Sequence, residues 1–332
     1  MPAMPMAPLC SFRLMTCLYI TSSVFRTELS CNSSASSVQS QTLSTQTSPP
    51  QLPSTCPPLP TRPSFSSPVR LPHHPMPHPF TNPPHRRQQR HRPRNHHRPL
   101  QILPLLPSPL SSRSFQKGQA ALSKIQADHS PALLSPITPI EVDVTSTSTI
   151  EATKTYLEST FSRLDILIQN AGIIVHHPCT TLQNLRLTFE TNVFGPRVLT
   201  ETLVPLLQKS TNPRVIYVSS EQGSITLRLD LEYPWRDVPG AEYRMSKAAL
   251  NMLAACDRYG FRSWGGKVTS FNPGWCVTNL TGEEGRVMRE RGGARSAEDP
   301  ARALVEVVNG KRDKEAWEKS GILDLDGGVR PW

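Results

Sequence analysis

The sequence predicts an α/β fold, an open, doubly wound and mostly parallel sheet preceded by a disordered tail. Two observations carry this. From about residue 113 to the C-terminus, strand-like and helix-like segments alternate, the order that gives a parallel sheet with helices on both faces. Before that point the composition is of another kind, and the roughly 220 residues after it are ample for one core.

The chain has 332 residues and 34 prolines, and 22 of those prolines lie in residues 1–113. The same segment holds 7 of the 10 histidines, 11 arginines, no lysine, no aspartate and one acid, Glu28. Its net charge is therefore the whole +10 of the chain, because the remainder carries 25 basic and 25 acidic side chains. The basic balance says nothing about a binding face on the folded part. Ser/Thr/Gln tracts (30–48) give way to Pro/Ser (49–72) and then Pro/His/Arg (73–99). Proline at this density removes amide donors, and so few large apolar side chains cannot offset the chain entropy. Residues 1–112 are read as disordered. The run from His85 to Arg92 could attract nucleic acid, but it lacks the interleaved aromatics of single-strand binders, so no specific nucleic-acid partner is expected. His73, His74 and His78 are read as a solvated tract, and no metal site is expected. The residues favoured here share pyrimidine- and C-rich codons, so a mispredicted exon or translated intron is an alternative origin.

No apolar run approaches the roughly 18 residues of a membrane span, so no membrane partner is expected. The stretch 14–25 is apolar but is interrupted by Thr16, Thr21, Ser22 and Ser23, a poor signal peptide. An acid-poor, arginine-bearing N-terminus also has the composition of a mitochondrial presequence. Seven cysteines, with no C-x-x-C, favour a reducing compartment and a cytoplasmic location.

The elements follow in order. Residues 115–128 have helical spacing, and 137–144 alternate, with Asp143 next to last. A helix over 148–163 opens with Ser/Thr caps, and the apolar run 164–172 is a buried strand entering a glycine turn. A long helix over 182–210, a strand over 214–220, a helix over 242–259, a strand over 267–274 and a helix over 298–309 complete the alternation before a glycine-rich tail.

Tyr243 and Lys247 stand four apart on one predicted helix and so project from one face. An ammonium near a phenol lowers its pKa, which suits proton transfer during carbonyl reduction or alcohol oxidation. Taken alone, the pair could equally be a solvated surface pair. Three strand ends add context: Asn170-Ala171-Gly172, Ser219-Ser220 and Pro273-Gly274. Ligands bind beyond the C-terminal ends of parallel strands. Asn192 lies mid-helix, where asparagine is a poor helix former, and is either solvated or the mark of a kink toward this crevice.

Six stretches, IEVDV (140–144), LDILIQNAG (164–172), FETNVFG (189–195), VIYVSSEQG (215–223), YRMSKAAL (243–250) and NPGWCVT (272–278), give residues 113–332 a resemblance. The segment resembles the short-chain dehydrogenase/reductase family, in a fungal-type group near the carbonyl reductases. The resemblance implies a Rossmann-like fold and an oxidoreductase that reduces a small-molecule carbonyl, or oxidises the alcohol, with NADPH. It implies that Tyr243 is the general acid/base, Lys247 its tuning partner and ribose ligand, and Ser220 the holder of the substrate oxygen. Asn192 would place a water leading to Lys247. Asn170, Ala171 and Gly172 would line the cofactor, Asp143 and Val144 would meet the adenine, and Pro273, Gly274 and Thr278 would cover the nicotinamide. The insert 221–242, with Leu227, Leu229, Tyr233 and Trp235, would wall the substrate. Arg113 falls where the family's second strand ends. A guanidinium there suits the 2′-phosphate of NADPH, whereas an acid would suit NAD.

The family's first strand and its glycine-rich pyrophosphate loop are expected upstream of Arg113. No glycine occurs before Gly118. The sheet is therefore expected to be truncated at its first strand and helix, with 113–332 as the domain and 1–112 as the tail. A catalytically inactive relative that binds dinucleotide poorly is the alternative function.

Overall fold

A computed structural model describes residues 17–20, 108–128 and 137–332. Eight strands form one sheet: β1 (Cys17–Ile20), β2 (Ser108–Ser112), β3 (Ile137–Glu141), β4 (Ile166–Gln169), β5 (Arg214–Val218), β6 (Lys267–Asn272), β7 (Ile322–Asp324) and β8 (Val329–Arg330). Their order is β3-β2-β1-β4-β5-β6-β7-β8, parallel throughout except for the β7–β8 pair. This is the doubly wound sheet the alternation predicts.

Two points differ from the sequence reading. The slot expected to stand without a first strand is filled by β1, which pairs with β2 (Tyr19 with Leu110) and with β4 along all four residues, from Cys17 with Ile166 to Ile20 with Gln169. The next strand, β2, begins at Ser108, five residues before the expected boundary at 113. β1 is short and carries no glycine after it, so nothing in the sequence marks it as the first strand. The expected disorder of the remaining tail, the histidine tract and the arginine-rich run fall outside the described residues.

Helices cover both faces. On one side lie α2 (Thr147–Phe161), α4 (Gly195–Leu207) and α6 (Ala241–Phe261), on the other α8 (Glu298–Val308). They follow α1 (Phe115–Asp128) and are interspersed with α3 (Thr181–Phe189), α5 (Ile225–Leu229), α7 (Gly282–Arg291) and α9 (Asp313–Glu318). The period of two along the strands divides the core. Leu167, Val215 and Tyr217 join Leu157, Leu203 and Leu250 on the first face. Ile166, Ile168, Ile216 and Val218 join Leu304, Val307 and Val308 on the second. β4 and β5 are buried at every position, as strands covered on both faces must be.

The long helix expected over 182–210 is interrupted. Glu190–Phe194 forms a single π-helical turn between α3 and α4. Two close approaches explain local sequence here. A Cβ at Gly195 would lie 2.6 Å from the Val144 carbonyl oxygen, and one at Gly223 would lie 2.5 Å from the Lys247 carbonyl carbon. Only glycine lets α4 rest on the end of the β3 segment and the turn after β5 rest on α6.

Candidate active site

The strand order sets the expected site residues in a row along the C-terminal edge of the sheet. Asp143 and Val144 follow β3, Arg113 follows β2, Asn170-Ala171-Gly172 follow β4, Ser219-Ser220 follow β5 and Pro273-Gly274 follow β6. Asp143 is held in a turn, accepting from the Thr145 amide (2.9 Å) and hydroxyl (2.8 Å). Thr278 is exposed and caps a short 3₁₀ turn, its hydroxyl accepting from the Leu280 amide.

Lys247 is buried on α6 and its Nζ donates to the Val218 carbonyl at 3.0 Å. Burial holds its ammonium down at about 8, against the ordinary 10.5. Tyr243 lies one turn earlier, with Lys247 Nζ 5.7 Å from its ring centroid. Burial pushes the Tyr243 phenol up to about 12, while a hydrogen bond with the Ser220 side chain and the charge of Arg289 pull it down. A net lowering of this phenol, as expected from the pair, is therefore not seen, although the Lys247 charge lies near enough to favour its anion. The ammonium is committed to a backbone carbonyl at the end of β5, and loss of hydration outweighs the charges that reach the hydroxyl.

Asn192 lies in the π turn with no exposed surface. Its Oδ1 accepts from the Ile173 amide (2.8 Å), and its Nδ2 donates to the Ile173 carbonyl (3.0 Å) and the Ser246 hydroxyl (3.0 Å). It pins the loop after β4 to α6, so of the two sequence alternatives the kink is the one observed. A π turn offers an asparagine this inward position at a functional site. A Cβ at Gly172 would lie 3.6 Å from both Asn192 Oδ1 and Lys247 Nζ, so any larger side chain there would intrude on both.

Ser220 is half-buried, its hydroxyl accepting from the Gln222 amide at 3.1 Å. Its turn is fixed by residues to which the sequence reading gives no role. Asn272 Oδ1 accepts from the Glu221 amide (3.1 Å), and its Nδ2 donates to Asp324 (2.7 Å). Arg330 reaches both Asp324 (2.9 Å) and Glu221 (3.5 Å). The signal available for Asn272 was only its place at the end of a buried strand.

The insert residues expected to wall the substrate lie in different surroundings. Leu229 is 74% exposed, while Tyr233 is buried and receives a hydrogen bond from Gln222. Trp235 meets Trp275, from the segment after β6, with ring centroids 5.9 Å apart. Arg244 on α6 holds the insert by donating to the Trp235 and Val238 carbonyls. Among the described residues no cluster of His, Cys, Asp and Glu could hold a metal ion, and no helix is long and apolar enough to cross a membrane.

Comparison with known proteins gives consistent matches. A family profile described as short chain dehydrogenase matches residues 110–288. The short-chain dehydrogenase anuI of Penicillium roqueforti is 34% identical over 216 residues, covering 63% of this chain and 81% of that protein. The short-chain dehydrogenase/reductase tropE of Talaromyces stipitatus is 30% identical over 228 residues, covering 65% of this chain and 84% of that one. Among solved structures, the NADPH-bound carbonyl reductase from chicken fatty liver aligns with a TM-score of 0.55 at 26% identity, over 68% of this chain and 88% of its own.

Proposed function

The chain belongs to the short chain dehydrogenase family, and on that footing we propose that it is a cytoplasmic, NADPH-dependent reductase of a small-molecule carbonyl, or the dehydrogenase of the corresponding alcohol. The observation that carries the reading is the meeting of Tyr243 with Ser220 and Lys247 beyond the ends of β5 and α6's first turns. NADPH, when bound, supplies a hydride to the carbonyl carbon. Tyr243 gives its phenolic proton to the developing alkoxide, and its high pKa keeps that proton in place at neutral pH. Ser220, already bonded to the phenol, shares the substrate oxygen with it. Lys247, cationic below about pH 8, stabilises the phenolate left behind.

The residues fit the two ends of a dinucleotide better than its middle. Gly172, Asn192 and Lys247 converge where a nicotinamide ribose would lie, with Pro273, Gly274 and Thr278 beyond. Asp143, Val144, Asn170 and Ala171 line the adenosine side. Arg113, directly after β2, favours the 2′-phosphate of NADPH. The pyrophosphate is the poorly matched part, since backbone amides approach it best through glycines and none precedes Gly118. Titration of NADPH by fluorescence is expected to give far weaker binding than in an intact relative. Micromolar binding would mean that non-glycine residues supply the cradle.

Turnover assays test the chemistry. Tyr243→Phe should abolish reduction while leaving NADPH binding nearly unchanged. Lys247→Ala should damage both. A Tyr243→Phe variant that kept more than about a tenth of wild-type kcat, a difference under about 1.4 kcal/mol, would remove Tyr243 as the proton donor.

A further inference from the structure

We propose that Arg289 is a specificity-determining residue that receives a carboxylate of the substrate beside Tyr243. The inference rests on the reductase reading given above and names the substrate class within it. Arg289 lies on α7 and is 8% exposed. Its Nη1 donates to the Thr281 hydroxyl at 2.5 Å, and its Nε is buried without a hydrogen-bond partner among the described residues. No carboxylate among the described residues lies within ion-pair distance of it, and unlike Arg244, which also lacks one, it has a single hydroxyl as its hydrogen-bond partner among those residues rather than backbone carbonyls. Arg214 pairs with Asp313, Arg312 with Glu315, and Arg244 is spent on the carbonyls of the insert. The acids of α7 that could have served it, Glu283 and Glu290, are taken by Arg286.

A guanidinium presents five donors in a planar fork and keeps its charge at any working pH, so a buried one with a single neutral partner is an incomplete site. The group that completes the fork best is a carboxylate, through two parallel charge-assisted bonds. The position suits a substrate group. Arg289 is tied through Thr281 to the segment after β6, where Cys276 bridges to Arg295 just past α7. This is the C-terminal edge of the sheet that also carries Tyr243, and the Arg289 charge favours the phenolate there. The last turn of α7 is also where Trp275 is seated, its ring so close that a Cβ on Gly292 would lie 2.7 Å from it, and Trp275 in turn meets Trp235. The paired indoles and one incompletely satisfied cation on neighbouring segments suit an aryl or similarly flat carbonyl compound that bears an acid.

The test uses the full chain with 2-, 3- and 4-formylbenzoate and their methyl esters, following NADPH oxidation. For each enzyme the ratio of kcat/KM for acid to that for ester is taken, a ratio independent of how much of a variant is folded. Wild type is expected to favour the acid of at least one isomer. Arg289→Met should lower that ratio by about ten-fold or more, the size expected on losing hydrogen bonds to a charged group, and Arg289→Lys should restore part of it. Ratios that favour the esters in wild type, or that Arg289→Met leaves unchanged, would overturn the assignment. If wild type reduces neither acids nor esters, the reductase reading fails by itself, and thermal stabilisation by the formylbenzoates decides the site separately. Stabilisation in wild type that Arg289→Met abolishes supports the carboxylate site, and no stabilisation in wild type overturns it.

Discussion

Tyr243 and Lys247, the pair assigned above to the proposed proton transfer, have protonation states set mainly by dehydration. Burial raises the phenol to about 12 and lowers the ammonium to about 8. The donor is thus fully protonated at neutral pH, and the group that titrates in the working range is the lysine. Its positive form is the useful one, so kcat/KM for reduction should be level through neutral pH and fall as pH rises past about 8, approaching ten-fold per unit. Lys247→Arg should move that falling limb upward by more than about one unit, because a guanidinium stays charged there. A limb that stays in place would assign it to another group. That these two residues share one helix face was legible from their spacing, and the position of Ser220 from its place after a buried strand. The direction of the tyrosine shift was not, because spacing shows that an ammonium is near a ring but not that it is bonded to the Val218 carbonyl. Arg289 was invisible for a similar reason, since VMRERGG reads as a solvated charged run and only packing shows one of its arginines to be buried.

Among elements, strands β3 to β6 and the long helices were readable because their apolar periodicity is strong, and α1 was placed to the residue, whereas β1, β2, β7 and β8 were not read as strands. α7 was not read. It contains Gly282 and Gly285 and few apolar residues, and it is sustained by acids in its first turn, arginines in its last and the Arg286 pairs with Glu283 and Glu290. The π turn over Glu190–Phe194 was hinted at by Asn192 alone, since a π bulge leaves no periodic signature. The join from this turn into α4 depends on Gly195, seated on the Val144 carbonyl. Gly195→Ala must move α4 away from the strand end, and overpacking of this kind costs about 1–3 kcal/mol. Urea unfolding should show a loss in that range, and turnover should fall as well, because the same displacement moves Asn192. Unchanged stability would mean that α4 can shift without strain.

On the scale of the whole molecule, the sheet depends on four residues from the front of the chain. β1 pairs with β2 on one side and β4 on the other, so removing it strips backbone partners from both. A chain lacking residues 1–20 should lose several hydrogen bonds worth about 1 kcal/mol each, and with them about 10 °C or more in Tm, or should be recovered insoluble. An unchanged melting curve would show that the sheet does not rely on β1. The sequence hid this strand because CLYI sits inside an apolar stretch broken by threonine and serine, followed by none of the glycines that usually announce a first strand. Its true marker was a partner nearly a hundred residues away.

That separation sets the order in which the protein can come together. Tyr19 pairs with Leu110 and with Ile168, so the centre of the sheet closes loops of about 90 and about 150 residues. Relative to a five-residue connection, the first closure alone carries about 2.5 kcal/mol more entropy cost, from roughly four doublings of loop length. Contacts of such long range slow folding. During synthesis the first strand emerges early and must wait, unpaired, until β4 has been made, whereas β4 to β6 and their helices can assemble among themselves. Refolding should therefore be rate-limited by insertion of the N-terminal strand between two neighbours already in place.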